Sequence, residues 1–175
     1  MAEPSSPLNA SPLDGFRLLA GGGKDSTVHI GRDDLPWLSG EDGTELQVLH
    51  VDLSVGLWVL RVRWPPGCAV ATHYHTGQVF AVTHSGCWYY REYPETRNTA
   101  GSYLYEPAHA VHTLVVPEDN TEATEVWFAI YGANIDIDAD GKVIGVLDAR
   151  TVLAAYRNGC AQTGADCSNT LVMGE

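Results

Sequence analysis

Apolar and polar residues alternate most clearly in residues 57–64, which read LWVLRVRW. The two tryptophans, Leu60 and Val62 would share one face of an extended strand, and the two arginines would lie on the other face. This period of two predicts a strand with one buried face. The sequence Pro-Pro-Gly at residues 65–67 then ends the strand.

Shorter extended segments follow, and each is bounded by Gly, Pro, Asn or Asp. We predict strands at residues 78–83, 87–93, 102–105, 112–116, 125–131, 135–138 and 142–146. The last two flank Ala139-Asp140-Gly141, a sequence typical of a hairpin turn. Near the C-terminus, Asp148 is a candidate N-cap, and an apolar stripe after it predicts a short helix ending at Gly159.

Many short strands with regular turns predict an all-β fold, either a sandwich or a barrel, with one short C-terminal helix. No repeat or linker divides the 175 residues, so we expect a single domain. Its predicted extent is residues 23–160, with a flexible N-terminal arm at 1–22 and a C-terminal tail at 161–175. The arm lacks the basic and apolar regions of a secretory signal.

The composition limits the classes of partner. A net charge of −12 argues against nucleic acid or an anionic membrane surface. No apolar run approaches the roughly 18 residues that a membrane-spanning helix needs. The four cysteines show no metal-binding pair, and Cys160 and Cys167 lie in a polar segment near the C-terminus. We therefore expect reduced thiols, a cytoplasmic location and small-molecule ligands, in a homo-oligomer that is most simply a two-fold dimer.

Candidate chemistry is concentrated in two short segments that contain histidine. His73 and His75 are two residues apart, so that an extended strand would aim both imidazoles at one face. The second segment supplies His109 and His112. Neutral imidazole is the commonest protein ligand of divalent transition metals. Three imidazoles brought together by a sheet would hold one such ion and leave coordination positions open for chemistry.

The spacing of both segments resembles the two motifs of the cupin superfamily, G-x5-H-x-H-x3-4-E-x6-G and G-x5-P-x-G-x2-H-x3-N. The first motif runs from Gly67 to Gly86 and the second begins at Gly101. The resemblance implies a single-domain cupin, which is a double-stranded β-helix or jelly-roll barrel. Three motif positions are replaced in this chain: the Glu by Val79, the Gly by His109 and the Asn by Val116.

These replacements leave His73, His75 and His112 as the implied metal ligands. On an extended segment His109 would face away from His112, so we assign it to the surroundings of the site. Gln78 neighbours the position that has lost its Glu and would face the metal only if the strand register slipped by one residue.

More specifically, the chain is similar to the 2,4′-dihydroxyacetophenone dioxygenases, which are grouped with ChrR-like cupins. The similar segments are residues 33–37 (DDLPW), 73–77 (HYHTG), 106–108 (EPA) and 112–114 (HTL), together with the hairpin and helix after residue 135. The resemblance implies a non-haem iron(II) dioxygenase that cleaves an aryl hydroxymethyl ketone with O2. The products would be an aromatic acid, such as 4-hydroxybenzoate, and formate.

Such a reaction needs a base to accept the substrate proton, and Glu106 is the candidate catalytic residue. The alternative is that Glu106 pairs with Arg61 or Arg63 inside the sheet. Tyr93 and the aromatic residues of segment 88–90 could wall a substrate pocket, although alternation lets only half of them face inward. We therefore place Gln78, Tyr93, His109 and Arg61 as candidate substrate-binding or supporting residues.

Two other functions are compatible with three histidines. Zn(II) in place of Fe(II) would give a hydrolase or lyase that uses bound hydroxide. A non-catalytic metal-binding sensor is the other alternative. The glycines at residues 21–23 do not have the spacing of a flavin or nicotinamide site, so no organic redox cofactor is predicted.

Overall fold

The computed structural model describes residues 27–174, in which thirteen strands and one helix are formed. The elements are β1 (Leu38–Ser39), β2 (Glu45–Asp52), β3 (Leu57–Trp64), β4 (His73–His75), β5 (Val79–Ser85), β6 (Cys87–Tyr90), β7 (Asn98–Thr99), β8 (Tyr103–Glu106), β9 (Leu114–Val115), β10 (Thr124–Tyr131), β11 (Asn134–Ile137), β12 (Val143–Leu147), α1 (Ala149–Thr163) and β13 (Leu171–Met173). The predicted all-β architecture with one C-terminal helix is confirmed.

The strands form one large sheet and two small ones. The large sheet has the order β1-β2-β3-β10-β5-β8, and β13 pairs with β2 as its seventh strand. One small sheet has the order β12-β11-β4, and the other has the order β7-β6-β9. The strand β13 is parallel to β2, and the other pairs of strands are antiparallel.

The alternation seen in the sequence of β3 sets the position of the core. Trp58, Leu60, Val62 and Trp64 are all buried in the main apolar cluster, as predicted. The opposite face of β3 carries Arg61, Arg63 and the buried Val59, which belongs to a second, smaller cluster. The side of the interior that β3 lines is therefore apolar.

The helix is longer than predicted. Asp148 is its N-cap, and the reciprocal bonds between Asp148 and Thr151 form a capping box. The helix continues through Gly159 to Thr163 and ends at Gly164, which has φ of 70°. Gly159 lies inside the helix, where its missing side chain makes room for the side chain of Leu38. The predicted end at Gly159 is wrong, because the left-handed residue that caps the helix is Gly164.

The C-terminal residues return to the sheet. Leu171–Met173, within the predicted tail, pair with His50–Asp52 of β2, a strand that the sequence analysis did not identify. Cys160 is buried in α1 rather than exposed in a polar segment, and burial raises the pKa of its thiol to about 12. All four cysteines are free thiols. The predicted arm at residues 1–22 lies outside the described residues.

The predicted strand at 87–93 ends at Tyr90, and only Leu114–Val115 of the segment 112–116 form a strand. No helix within residues 27–174 has the length and apolar character to cross a bilayer. The homo-oligomer and the cytoplasmic location stay predictions.

One glycine of the cupin-like motif makes a tight turn possible. Gly86 separates β5 from β6 with φ of 71°, and a side chain at this position would collide with Thr124 of β10. Gly101 has φ of 84° but no atoms within 4 Å of the position that a Cβ would take. A substitution at Gly101 would therefore cause backbone strain alone, whereas one at Gly86 would cause both strain and steric overlap.

We expect Gly86→Ala to destabilise the protein more than Gly101→Ala. The Gly101 variant should lose about 1 kcal/mol through left-handed strain, and the Gly86 variant about 3 kcal/mol because overlap is added. Urea denaturation measures both free energies of unfolding. Equal losses would show that the contact with Thr124 relaxes without cost.

Candidate metal centre

Three buried histidines converge inside the barrel. His73 and His75 project from the same face of β4, and their side chains are buried on that side. His112 lies opposite His73, because the backbone N–H of each donates to the carbonyl oxygen of the other at 3.0 and 2.9 Å. One ring nitrogen from each of the three residues lies within 4.8 Å of the other two. The predicted ligands are therefore brought together.

Hydrogen bonding orients the ring of His73. Its Nδ1 lies 2.7 Å from the carbonyl oxygen of Ala71, so Nδ1 carries the proton and Nε2 is left with its lone pair. That Nε2 lies 3.2 Å from Nε2 of His112. A backbone carbonyl on the remote ring nitrogen is the arrangement that fixes metal-binding histidines in proteins.

Burial keeps the three imidazoles in the form that binds metal. Desolvation lowers the pKa of His75 to about 3 and of His112 to about 4, and the neighbouring imidazoles contribute to both shifts. Desolvation also lowers the pKa of His73. The rings are therefore neutral at pH 7, as metal ligation requires.

Glu106 adds a carboxylate to the three histidines. It is directly opposite Val79 in the pairing of β8 with β5, so both side chains project from the same face. Val79 occupies the position of the Glu in the cupin motif, and the carboxylate is therefore supplied by the neighbouring strand. Oε2 of Glu106 lies 3.3 Å from Nε2 of His112 and 3.5 Å from Nε2 of His75.

The two oxygens of Glu106 have different surroundings. Oε1 accepts a hydrogen bond from the hydroxyl of Tyr90, whose ring stacks on His112 with centroids 4.1 Å apart. Oε2 is buried and has no hydrogen-bond partner among the described residues. Desolvation raises the pKa of Glu106 to about 7, although the bond from Tyr90 opposes the shift.

The alternative pairing of Glu106 with an arginine is wrong. Arg63 binds Glu125 and Glu45, at 2.8 and 3.3 Å. Arg61 donates to Oε1 of Gln47 at 3.1 Å. Both arginines lie on the face of β3 that points away from the barrel interior, because they alternate with Leu60 and Val62. Arg61 is therefore remote from the histidines, contrary to its assignment as a supporting residue.

The other candidates are placed around the site or outside it. Gln78 is exposed while Val79 is fully buried, so the register does not slip and Gln78 does not face the histidines. His109 is also exposed, but its backbone N–H donates to the carbonyl oxygen of His75 at 2.7 Å. Tyr93 is 64% exposed and lies at the rim of a cavity beside Glu106.

A cavity of about 310 Å³, which we call the inner chamber, borders the site within the barrel. His73, His75 and Glu106 lie on one side of it, and the apolar face of β3 lies on another. Its lining also includes Phe128 and other apolar side chains of the core. The chamber has the size and apolar character of a small-molecule pocket.

Part of this surrounding was not predicted from the sequence. Tyr90 was considered only as one of several possible wall residues, although it lies two residues from Trp88 on the same, buried face of β6. Asn134 and Asp136 of β11 also line the inner chamber. Their pairing with the histidines of β4 had no local signal, because β4 and β11 are about sixty residues apart in sequence.

Comparison with known proteins identifies the family. A family model described as the ChrR cupin-like domain matches residues 25–133. The chain belongs to this family of cupins. The predicted single-domain cupin fold is thereby confirmed, and no curated protein shows significant similarity to the chain.

Solved structures agree with the assignment. A cupin-like protein of unknown function from Ralstonia eutropha JMP134 is 33% identical, with a TM-score of 0.79 over 88% of this cupin and 96% of that chain. An RmlC-like cupin from the same organism is 24% identical, with a TM-score of 0.77 over 83% of this chain and 94% of that chain. An acetylacetone dioxygenase from Acinetobacter johnsonii is 20% identical, with a TM-score of 0.67 over 79% and 95%.

The residues fit a divalent transition metal. Three neutral imidazole nitrogens converge, and a partnerless carboxylate oxygen lies beside two of them. A cation at this point would satisfy groups that are otherwise costly to bury. The donor set accommodates Fe(II) and Zn(II) alike.

Replacing any one of the three ligands should remove most of the bound metal. We expect His73→Ala, His75→Ala and His112→Ala each to weaken binding by more than about 100-fold, beyond the effect of changing groups that only surround the ligands. Mass spectrometry of dialysed protein measures the metal content.

The control is His109→Gly, which removes an imidazole and suits the positive φ of 67° at this position. This variant should keep its metal. Metal loss in the His109 variant together with metal retention in the His112 variant would contradict the assignment.

Proposed function

We propose that this cupin is a mononuclear non-haem iron(II) dioxygenase. Its substrate would be an aryl hydroxymethyl ketone such as 2,4′-dihydroxyacetophenone, and O2 would cleave the bond between the carbonyl carbon and the hydroxylated carbon. The products would be an aromatic acid, here 4-hydroxybenzoate, and formate. The observation that supports this proposal is the set of three neutral imidazoles beside a buried carboxylate with a free oxygen.

The charge of the ligand set favours an anionic substrate. Because all three ligands are neutral and Glu106 beside them carries at most one negative charge, part of the charge of a divalent cation at the site would stay unbalanced. A deprotonated hydroxyketone has two adjacent oxygens and supplies the missing negative charge. Iron(II) at the site would supply a Lewis acid for the ketone and the capacity to activate O2.

Glu106 is placed to move the proton. Its Oε2 is unpartnered and lies beside the histidine nitrogens, where the hydroxylated carbon of a bound ketone would be within reach. The proton passes from that carbon to Oε2, and the electron pair of the C–H bond stays on the substrate as an enediolate. Tyr90 donates to Oε1 and so keeps the carboxylate in this orientation.

The electrons balance without an external reductant. One hydroxymethyl ketone and one O2 contain all the atoms of one aromatic acid and one formic acid, and the substrate supplies the electrons that O2 accepts. The Acinetobacter johnsonii protein named an acetylacetone dioxygenase has the same fold, which is consistent with oxygen chemistry on a ketone.

Zn(II) chemistry is the second candidate, because three histidines without a carboxylate ligand also form the donor set of catalytic zinc sites. The protein would then be a hydrolase or lyase. Zinc has no redox chemistry, so oxygen consumption separates the two functions.

We expect the Fe(II)-loaded protein to consume one O2 for each 2,4′-dihydroxyacetophenone cleaved and to release one formate. With ¹⁸O2, label should enter both formate and 4-hydroxybenzoate, because one oxygen atom goes to each carbon. An oxygen electrode and mass spectrometry measure these quantities. Turnover without oxygen would favour the hydrolase or lyase, and metal binding without turnover would favour a sensor.

We expect Glu106→Gln to lower turnover by about 10²–10⁴-fold because the proton acceptor is lost. The iron content should remain, since the three histidines are unchanged. The control is Glu125→Gln, which removes another buried carboxylate that binds Arg32 and Arg63 away from the histidines. Steady-state kinetics of both variants would refute the role of Glu106 if they lost activity equally.

A further inference from the structure

A second cavity lies on the other side of Glu106. We call it the outer chamber; it has a volume of about 310 Å³ and reaches from the site to the exposed Tyr93. Tyr90 and Glu106 line both chambers, and His112 lines the outer one. The hydrogen-bonded pair of Tyr90 and Glu106 therefore separates the two chambers, and each chamber has access to the metal centre.

The outer chamber contains a buried polar group that the fold does not use. Asn98 is 5% exposed and lines the chamber. Its Nδ2 is buried and has no hydrogen-bond acceptor within residues 27–174. An unpaired buried amide destabilises a protein, so it indicates a ligand that supplies the partner.

The separation along β6 between the partner of Asn98 and Tyr90 is close to the length of an aromatic ketone. Asn98 of β7 pairs with Trp88 of β6, and Tyr90 lies two residues further along β6 beside the metal centre. Two residues of a strand span about 7 Å, close to the length of a para-substituted phenyl ketone. The rings of Tyr90, Tyr93 and Tyr105 and the side chain of Leu104 provide aromatic and apolar walls.

The inner chamber has no comparable amide among the described residues. The side-chain amide of Asn134, which lines it, donates to Asp136 at 2.8 Å, and the indole N–H of Trp58 donates to the carbonyl oxygen of Gly132 at 2.9 Å. Of the two chambers, the outer one therefore holds the buried side-chain amide that lacks a partner.

We propose that the outer chamber holds the aryl ring of the substrate and that the amide of Asn98 binds an oxygen on the ring. Asn98 is then a specificity-determining residue that selects hydroxylated over unsubstituted aryl ketones. The identity of the ketone rests on the proposed function. The binding site for a hydroxylated ring rests only on the residues of the outer chamber.

The test compares two probes that lack the hydroxymethyl group and so are not cleaved, 4-hydroxyacetophenone and acetophenone. Calorimetric titration of the metal-loaded protein under argon should show that the wild type prefers the hydroxylated probe. Asn98→Leu should weaken binding of 4-hydroxyacetophenone about tenfold, the effect of one hydrogen bond, and leave acetophenone unchanged. The wild type should also prefer 4-methoxyacetophenone, whose ring oxygen can only accept, to acetophenone, and Asn98→Asp, which replaces the donor by a carboxylate, should lose that preference.

Thermal unfolding separates binding from a structural role. Because Nδ2 has no partner among residues 27–174, Asn98→Leu should be at least as stable as the wild type. A large loss of stability in this variant would overturn the proposal, and so would equal binding of both probes by the wild type and the variants. The latter result would mean that water alone satisfies the amide.

A third variant tests which chamber holds the ring. Ala155→Phe places a larger side chain at an exposed helical position that lines the inner chamber. It should leave 4-hydroxyacetophenone binding unchanged, and loss of binding in this variant alone would place the ring in the inner chamber. If probe binding depends on Asn98 but the protein consumes no oxygen with 2,4′-dihydroxyacetophenone, the dioxygenase is refuted and the binding site for the ring is retained.

Discussion

The backbone pairing of His73 with His112 is the contact on which the site depends. Two hydrogen bonds, of 3.0 and 2.9 Å, join segments that are 39 residues apart in sequence. Residues directly opposite each other in an antiparallel pair project from the same face, so the two imidazoles must meet. His75 joins them because it lies two residues along the same strand. The geometry of the three imidazoles is therefore set by strand pairing rather than by flexible loops.

The site is costly to bury, and the surrounding core makes that burial possible. Four buried side-chain polar atoms lack a partner within the described residues, and three of them belong to His75, Asn98 and Glu106. All three residues line one of the two chambers. Unsatisfied polar groups are uncommon in native proteins, and such groups concentrate where function requires them. The apolar face of β3 and the strands beside it supply the burial that offsets this cost.

Two departures from the cupin motif have structural explanations. The carboxylate missing at Val79 is replaced by Glu106, its direct neighbour across the strands. His109 stands where the motif has Gly, and it adopts the positive φ of 67° that a glycine would take with less strain. In both cases the backbone geometry is retained while the side chain differs. The first change leaves three neutral imidazoles as the candidate ligands, with the carboxylate beside them on a different strand.

The sequence alone determined the strand-rich fold, the inward face of β3 and the candidate metal ligands, because local alternation and spacing decide which way a side chain points. It could not exclude an arginine partner for Glu106 or show that Arg61 lies outside the barrel. It also gave no indication that Asn98 lines a chamber or that residues 171–173 return to the sheet. Those features depend on which strands become neighbours. Strand pairing is decided by burial over the whole chain, and no local pattern records it.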